Sequence, residues 1–375
     1  MNVMCIIIDS LDKCKTAYPQ WDSHRVPAYA QPFRRPRSVL TAAICHGWCT
    51  CVYVADEEVN HGGNSFCELI CRSLDKVAAI SRHTGRPTPQ HLVIQADNTV
   101  SLCKNSLCLV FLSYLVGKGK FLTATLNFLL EGHTHEDVDR FFAYIIVMVF
   151  RRYKFEVPED LIQKMEELLQ DYVASKKEDL YVEPVPFIRD FNAWLEPLGI
   201  TLYNAMMPRD GRPTPHAFTI KIRTDLSPRE VQALGRPRRR GFPDHPEDVF
   251  IVCKGRTHVT EIHHPVLARP HACLVGMLTT SPQAMLPRND LEEKEQHQLK
   301  ELACLLRRMP QPYIRAAARI EKSLCGEFGM EPGPLLWLQA MAMPRTEVHL
   351  STNAYYEHLP DNSWNLLARF RRRRR

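Results

Sequence analysis

No two cysteines in this chain stand in CxxC spacing, although thirteen are present. That absence excludes a zinc ribbon, and the odd count argues against a closed disulfide framework. Cys5, Cys108 and Cys253 lie inside apolar runs, where a free cysteine behaves as a small buried hydrophobe, so a reducing compartment is expected. Long apolar runs are also missing. Met1 to Ile8 meets Asp9 too early for a signal peptide, and Phe141 to Phe150 falls short of the ~20 residues that span a bilayer. The expectation is a nuclear or cytoplasmic protein that is not secreted and has no membrane partner. A net positive charge is absent from the body of the chain: Arg369 and Arg371 to Arg375 supply six positive charges, the whole of the formal net charge of +6. Any attraction to phosphates must come from local patches or from that tail. There is no internal repeat, and Trp21, Trp48, Trp194, Trp337 and Trp364 are too dispersed to form a base-stacking platform.

What is present is an ordinary globular composition, 45% hydrophobic and 24% charged over 375 residues, enough for a full core. Met4 to Asp9, Ser38 to Trp48 and Thr50 to Ala55 read as strands, the last two joined at Gly47. Asn64 to Arg82 has helical spacing, His91 to Ala96 is a strand, and Lys104 to Val116 is an apolar helix ending at Gly117. A strand from Thr123 to Leu130 then leads into a helix over Glu136 to Phe150. This β-β-β-α-β-α-β-α succession predicts an α/β fold with an RNase H-like mixed five-stranded sheet and flanking helices. It is expected over residues 1–155, followed by a smaller α+β region (156–285), a helical segment (286–345) and an irregular basic tail (346–375). Within the later regions Pro158 to Ser175 reads as an amphipathic helix, Pro184 and Pro186 as a joint, and Phe187 to Trp194 as a short helix. His216 to Ile222 and Val249 to Cys253 read as strands, and Leu291 to Arg308 with Gln311 to Phe328 as a helix pair.

Chemistry concentrates in Gly132 to Asp139, GHTHEDVD, at a strand-to-helix junction. Thr134 as a cap with Glu136 and Asp137 against the helix dipole would explain some of these residues, but not Gly132, His133 or Asp139. Asp9 ends the first strand and Asp97 the fourth. In an RNase H-like sheet such carboxylates, with one more from a helix, can hold two divalent cations ~3.5–4 Å apart for in-line phosphoryl transfer. Asp9, Asp97 and Asp139 are therefore the candidate catalytic and metal-binding residues, and oxygen ligands imply Mg²⁺ or Mn²⁺. His135 lies one turn from Asp139 and shares its face, whereas Asp137 points elsewhere. The acidic run Asp56 to Glu58, which closes the third strand, reads as a turn that could edge the site. The histidines His258, His263, His264 and His271 are irregularly spaced and read as a surface cluster.

The segments DSLDKCKTAYP (Asp9 to Pro19), QADNTV with the following KN (Gln95 to Asn105) and FLLEGHTHEDVDRFF (Phe128 to Phe142) resemble a transposase-derived family of transposon-rich eukaryotic genomes, dinoflagellates among them. The resemblance spans residues 4 to 225, with FNAWLEPLG and PTPHAFTIKI matching its C-terminal portion. It implies an RNase H-like domain with a DDE/D-type site on Asp9, Asp97 and Asp139, DNA as partner, and His133, His135, Asn98, Lys104 and Asn105 around the metals. One position departs: Leu102 stands where family members commonly carry Glu, and a domesticated, non-catalytic binding domain is the alternative that this favours. GHTH also occurs in calcineurin-like metallophosphoesterases, but their DxH and GNH[ED] ligand runs are missing here, and Val138 occupies the last ligand position of a metallo-β-lactamase-type motif. Arg238, Arg239 and Arg240 in one basic loop, and Arg371, Arg372 and Arg373 in the tail, are the candidate nucleic-acid contacts or import signals.

Overall fold

The computed structural model describes residues 3–21, 30–31, 33–59, 62–97, 103–128, 137–174, 178–196, 216–234, 249–254, 266–267, 282–285, 292–309 and 313–325. The chain opens with β1 (Val3–Ser10), β2 (Ser38–Cys45) and β3 (Cys49–Asp56), then α1 (Gly63–Thr84), β4 (His91–Ala96), α2 (Ser106–Gly117), β5 (Thr123–Phe128) and α3 (Asp137–Ile145). A π-helical turn (Ile146–Phe150) extends α3 and leads to α4 (Pro158–Ala174). After it come β6 (Asp179–Val185), β7 (Ile188–Arg189), α5 (Phe191–Leu195), β8 (Ala217–Ile222), α6 (Pro228–Leu234), β9 (Val249–Lys254), β10 (Val266–Leu267) and β11 (Ala284–Met285). A helical pair, α7 (Glu293–Arg308) and α8 (Ile314–Leu324), closes the described chain.

The class is mixed α/β, as expected, but the sheet is larger than five strands. Nine strands run in the order β10-β9-β8-β5-β4-β1-β2-β3-β6. β1 pairs with β4, β4 with β5, and β3 with β6 in parallel; the β1–β2, β2–β3, β5–β8 and β8–β9 pairs are antiparallel. Hence β1, β3, β4, β5 and β6 all end at one edge of the sheet. The added strands come from beyond residue 155. β6 was concealed by Pro184 and Pro186, and a proline is tolerated there because β6 is the outermost strand.

Strand alternation divides the core in two. Met4, Ile6 and Ile8 of β1 face α1 and α2, while Ile7 faces α3 and α4. β2 is buried along its whole length because both faces are covered. α2 is apolar nearly all round and buried from Cys108 to Gly117, whereas α1 is amphipathic and ends at Gly85, whose φ of 69° is the left-handed conformation of a helix stop. On the other face α3 presents Val138, Phe141, Phe142 and Ile145, and α4 presents Leu161, Met165 and Leu169, to Leu40, Ala42 and Ile44 of β2. α7 and α8 form a smaller core with Trp21, Ala30 and Val157. No helix among the described residues is long and apolar enough to cross a membrane.

Candidate active site

The parallel register of β1 on β4 ends at Ile8 opposite Ala96, which puts Asp9 and Asp97 one step further, side by side at the sheet edge. Alternation also decides the face they share. Ile6 and Ile8 on β1, and Leu92, Ile94 and Ala96 on β4, point toward α1 and α2, so Asp9 and Asp97 fall on the α3 side. α3 docks there through Val138 and Phe141, and that contact carries Asp139, in its first turn, toward the strand ends.

Asp9 feels its neighbours. The Asp9 carboxyl is pushed up to about 6, first by burial and then by the charges of Asp97 and Asp139; the Ser10 N–H, donating to Asp9 Oδ1 at 2.7 Å, opposes the rise. Asp9 makes no ion pair among the described residues. Asp137 points away, 3.9 Å from His46 Nε2 and 3.6 Å from Arg140, as helical geometry predicts for a residue two positions from Asp139. Among the described residues no group of three His, Cys, Asp or Glu side chains is gathered closely enough to hold a metal ion. The donors are oxygen atoms only, the kind a hard dication takes, and the Asp9 carboxyl is raised first by burial and then by neighbouring negative charge that such an ion would offset.

The loop after Asp97 returns through Cys103, whose thiol donates to the Asp97 carbonyl at 2.8 Å. Lys104 follows, 4% exposed, its ammonium 5.3 Å from the centre of the Phe128 ring at the end of β5, and burial holds its pKa below the usual lysine value. Phe128 is the register partner of Ala96, so Lys104 stands at the same edge as Asp97, one strand away. Asn105 caps α2, its Oδ1 accepting from the Cys108 N–H at 3.0 Å. Its side chain also lies against Gly63, where an added Cβ would come within 3.0 Å. Asn98, Leu102, His133, His135, Arg238, Arg239, Arg240, Arg371, Arg372 and Arg373 lie outside the described residues.

A family described as a domain of unknown function (DUF7869) matches residues 34–226, just over half of the chain. The chain belongs to the DUF7869 family. The DUF7869 match takes in Asp97, Asp139, Lys104 and Asn105 but begins after β1, so Asp9 and the strand that carries it lie outside it, in contrast to the expected start near residue 4. Neither a curated protein nor a solved structure matches the chain.

Sequence reading missed a second set of groups at the same edge. Arg319 on α8 reaches Asp56 at 2.6 Å and pairs with Glu159, and Arg315 pairs with Asp160 at 2.7 Å and Glu156 at 3.2 Å. These partners are separated by 155 residues or more in the chain, and no local pattern announces them.

Proposed function

We propose that this protein is a transposase-derived, DDE/D-type nuclease or strand-transferase-like enzyme of RNase H-like fold that acts on DNA by two-metal phosphoryl transfer. The observation that carries this reading is the placement of Asp9 and Asp97 side by side past the paired ends of β1 and β4, with Asp139 close enough to add to the charge that Asp9 meets. The strand order supports it: within the nine strands, β3-β2-β1-β4-β5 with β2 alone reversed is the succession expected of an RNase H-like sheet.

Asp9, Asp97 and Asp139 would hold Mg²⁺ or Mn²⁺, which when bound supplies charge stabilisation to the attacking and leaving oxygens. Asp9 must be ionised to serve as a ligand, so burial and repulsion, which favour its protonated form up to about pH 6, keep the site weak in acid. The Ser10 N–H orients Asp9 from its own backbone, and the Ser10 hydroxyl is tied to Thr41 Oγ1 at 2.8 Å on β2. The basic stretches Arg238 to Arg240 and Arg371 to Arg373 are proposed to hold DNA away from the chemistry.

The test is Mn²⁺-dependent nicking of supercoiled DNA by the purified full chain, with Mn²⁺ binding followed by calorimetry. Asp97→Ala is expected to lower nicking by about three orders of magnitude and to weaken metal binding. A wild-type chain with neither nicking nor Mn²⁺ binding sinks the reading. Leu102, in place of the acid found in relatives of the resembled family, favours a second reading, a non-catalytic nucleic-acid or protein binding domain. DNA binding that persists without any nicking, and is lost on deleting residues 369–375, would support it.

A further inference from the structure

We propose that a small pocket at the entry to β2, built on Arg35 and Arg37, is a binding site for a phosphate monoester. The pocket has a volume of about 250 Å³. Ala17, Ala30 and Phe33 form the apolar part of its wall, Arg34, Arg35 and Arg37 the charged part, and no acid lines it. Arg37 directly precedes β2, which runs antiparallel to β1, so the pocket stands on the side of the sheet where β1 ends.

The sequence holds two of these arginines together. Arg35 and Arg37 stand two apart in an extended stretch, since Pro36 disfavours a helical turn at the residue before it and Arg37 bridges antiparallel to Ala17. Side chains two apart in extended chain leave on the same side, and both guanidinium groups reach the pocket. Arg35 is fixed in place. It is half-buried, its Nη1 donates to the Pro19 carbonyl at 2.7 Å, and its guanidinium lies over Trp21, 5.7 Å from the ring centre.

Charge decides what the pocket takes. Arg34 is engaged by Glu57 and Glu295, and with that arginine set aside the pocket keeps two cations and no carboxylate. Among the described residues neither Arg35 nor Arg37 makes an ion pair, and the remaining guanidinium nitrogens of Arg35 are open to solvent rather than sealed. Burial and the neighbouring charge of Arg37 hold the Arg35 pKa below the usual arginine value, with no acid opposing. Two guanidinium forks facing one space suit the several oxygens of a phosphate. A phosphate monoester carries about −1.5 to −2 charges at pH 7 and offsets both cations, whereas a carboxylate or a phosphodiester offsets one. The pocket shares no lining residue with Asp9, Asp97 and Asp139, so the inference stands apart from the proposed phosphoryl transfer.

Phenyl phosphate, benzoate and benzyl alcohol carry different charges on one ring, and each is titrated into the full chain by calorimetry in EDTA, which keeps dications off the strand-end acids. Phenyl phosphate is expected to saturate one site at least ~10-fold more tightly than benzoate, and benzyl alcohol to show no binding. Arg37→Gln and Arg35→Gln should each weaken phenyl phosphate ~10-fold, with thermal melting confirming that the variants are folded. Arg307→Gln removes an equal charge from the exposed pair with Glu321 and should change nothing, as should Asp97→Ala. A strand of six thymidines with and without a 5′-phosphate separates two sources of the monoester. A preference for the phosphorylated strand that Arg37→Gln abolishes places it on a nucleic-acid end, and phenyl phosphate binding without that preference places it on a small molecule. Failure of phenyl phosphate to bind, equal binding of benzoate, unaltered affinity in folded Arg37→Gln, or an equal loss in Arg307→Gln would each overturn the proposal.

Discussion

Two sets of carboxylates share one edge of the sheet and are treated in opposite ways. Around α8, Asp56, Glu159, Glu156 and Asp160 are each matched to Arg319 or Arg315. At the ends of β1 and β4, Asp9 is half-buried near two further acids and its carboxyl is pushed up to about 6. The first set behaves as a fastening, drawing a helical pair onto the edge by charges that neutralise one another. The second concentrates like charge where folding alone would avoid it, and an arrangement of that kind is expected where a cation or a reaction uses it. Glu58 lies between the two cases, inside the fastening but without an ion pair of its own.

The largest test of this contrast is Phe141→Ala. Phe141 is fully buried between α3 and the sheet, so its truncation should cost about 3–5 kcal/mol in chemical denaturation. In the folded fraction it should also bring the Asp9 pKa down by loosening the helix that carries Asp139, as read from the carboxyl NMR shift. Arg319→Met comes next. Removing the cation leaves Asp56 and Glu159 facing Glu58, and a loss of about 1–2 kcal/mol is expected after allowance for partial exposure, smaller in high salt only if the pairs are as accessible as surface ones.

Asp9→Asn should act with the reverse sign. The folded-state pKa of Asp9 lies above its unfolded value, so the stability linked to it is fully present below about pH 4 and is lost as pH rises through 6. An asparagine does not ionise, so the variant should equal the parent in unfolding free energy near pH 4 and exceed it above pH 7 by about 1–2 kcal/mol, as read by chemical denaturation. A variant less stable than the parent at pH 8 would refute the view that the acids at this edge oppose folding. The smallest effect is expected for Asn105→Ala, which removes the cap of α2 for about 1 kcal/mol by thermal melting, with the Asp9 pKa unchanged.

The strands β1 to β5 and the helices between them could be read from apolar runs and stop signals because each is specified by its own residues. Asp9 and Asp97 were legible as acids closing two such runs, and alternation alone assigns them a common face. β6 was not legible, since Pro184 argues against a strand everywhere except at an edge, and edges are known only once the sheet is assembled. Phe187 to Trp194 read as one helix, but Ile188 and Arg189 pair with β11 and only Phe191–Leu195 is helical. The turn reading of Asp56 to Glu58 was locally correct yet silent about Arg319, which arrives from more than 260 residues away. Lys104 was marked by its motif, but its burial against Phe128 depends on β5 lying beside β4.

β1 sits in the middle of the sheet, between β2 and β4, although it is made first and lies outside the span shared with the family. It is held on one side by a neighbour, Ser38–Cys45, that follows within the next few dozen residues, but on the other by His91–Ala96, almost ninety positions later. A polypeptide cut to residues 34–226 would thus leave β2 and β4 with unsatisfied inner edges, ready to recruit a strand from another molecule. During synthesis the leading strand has to wait for its second neighbour, so assembly of the centre is governed by a long-range closure, and slow, aggregation-exposed folding is the expected kinetic signature.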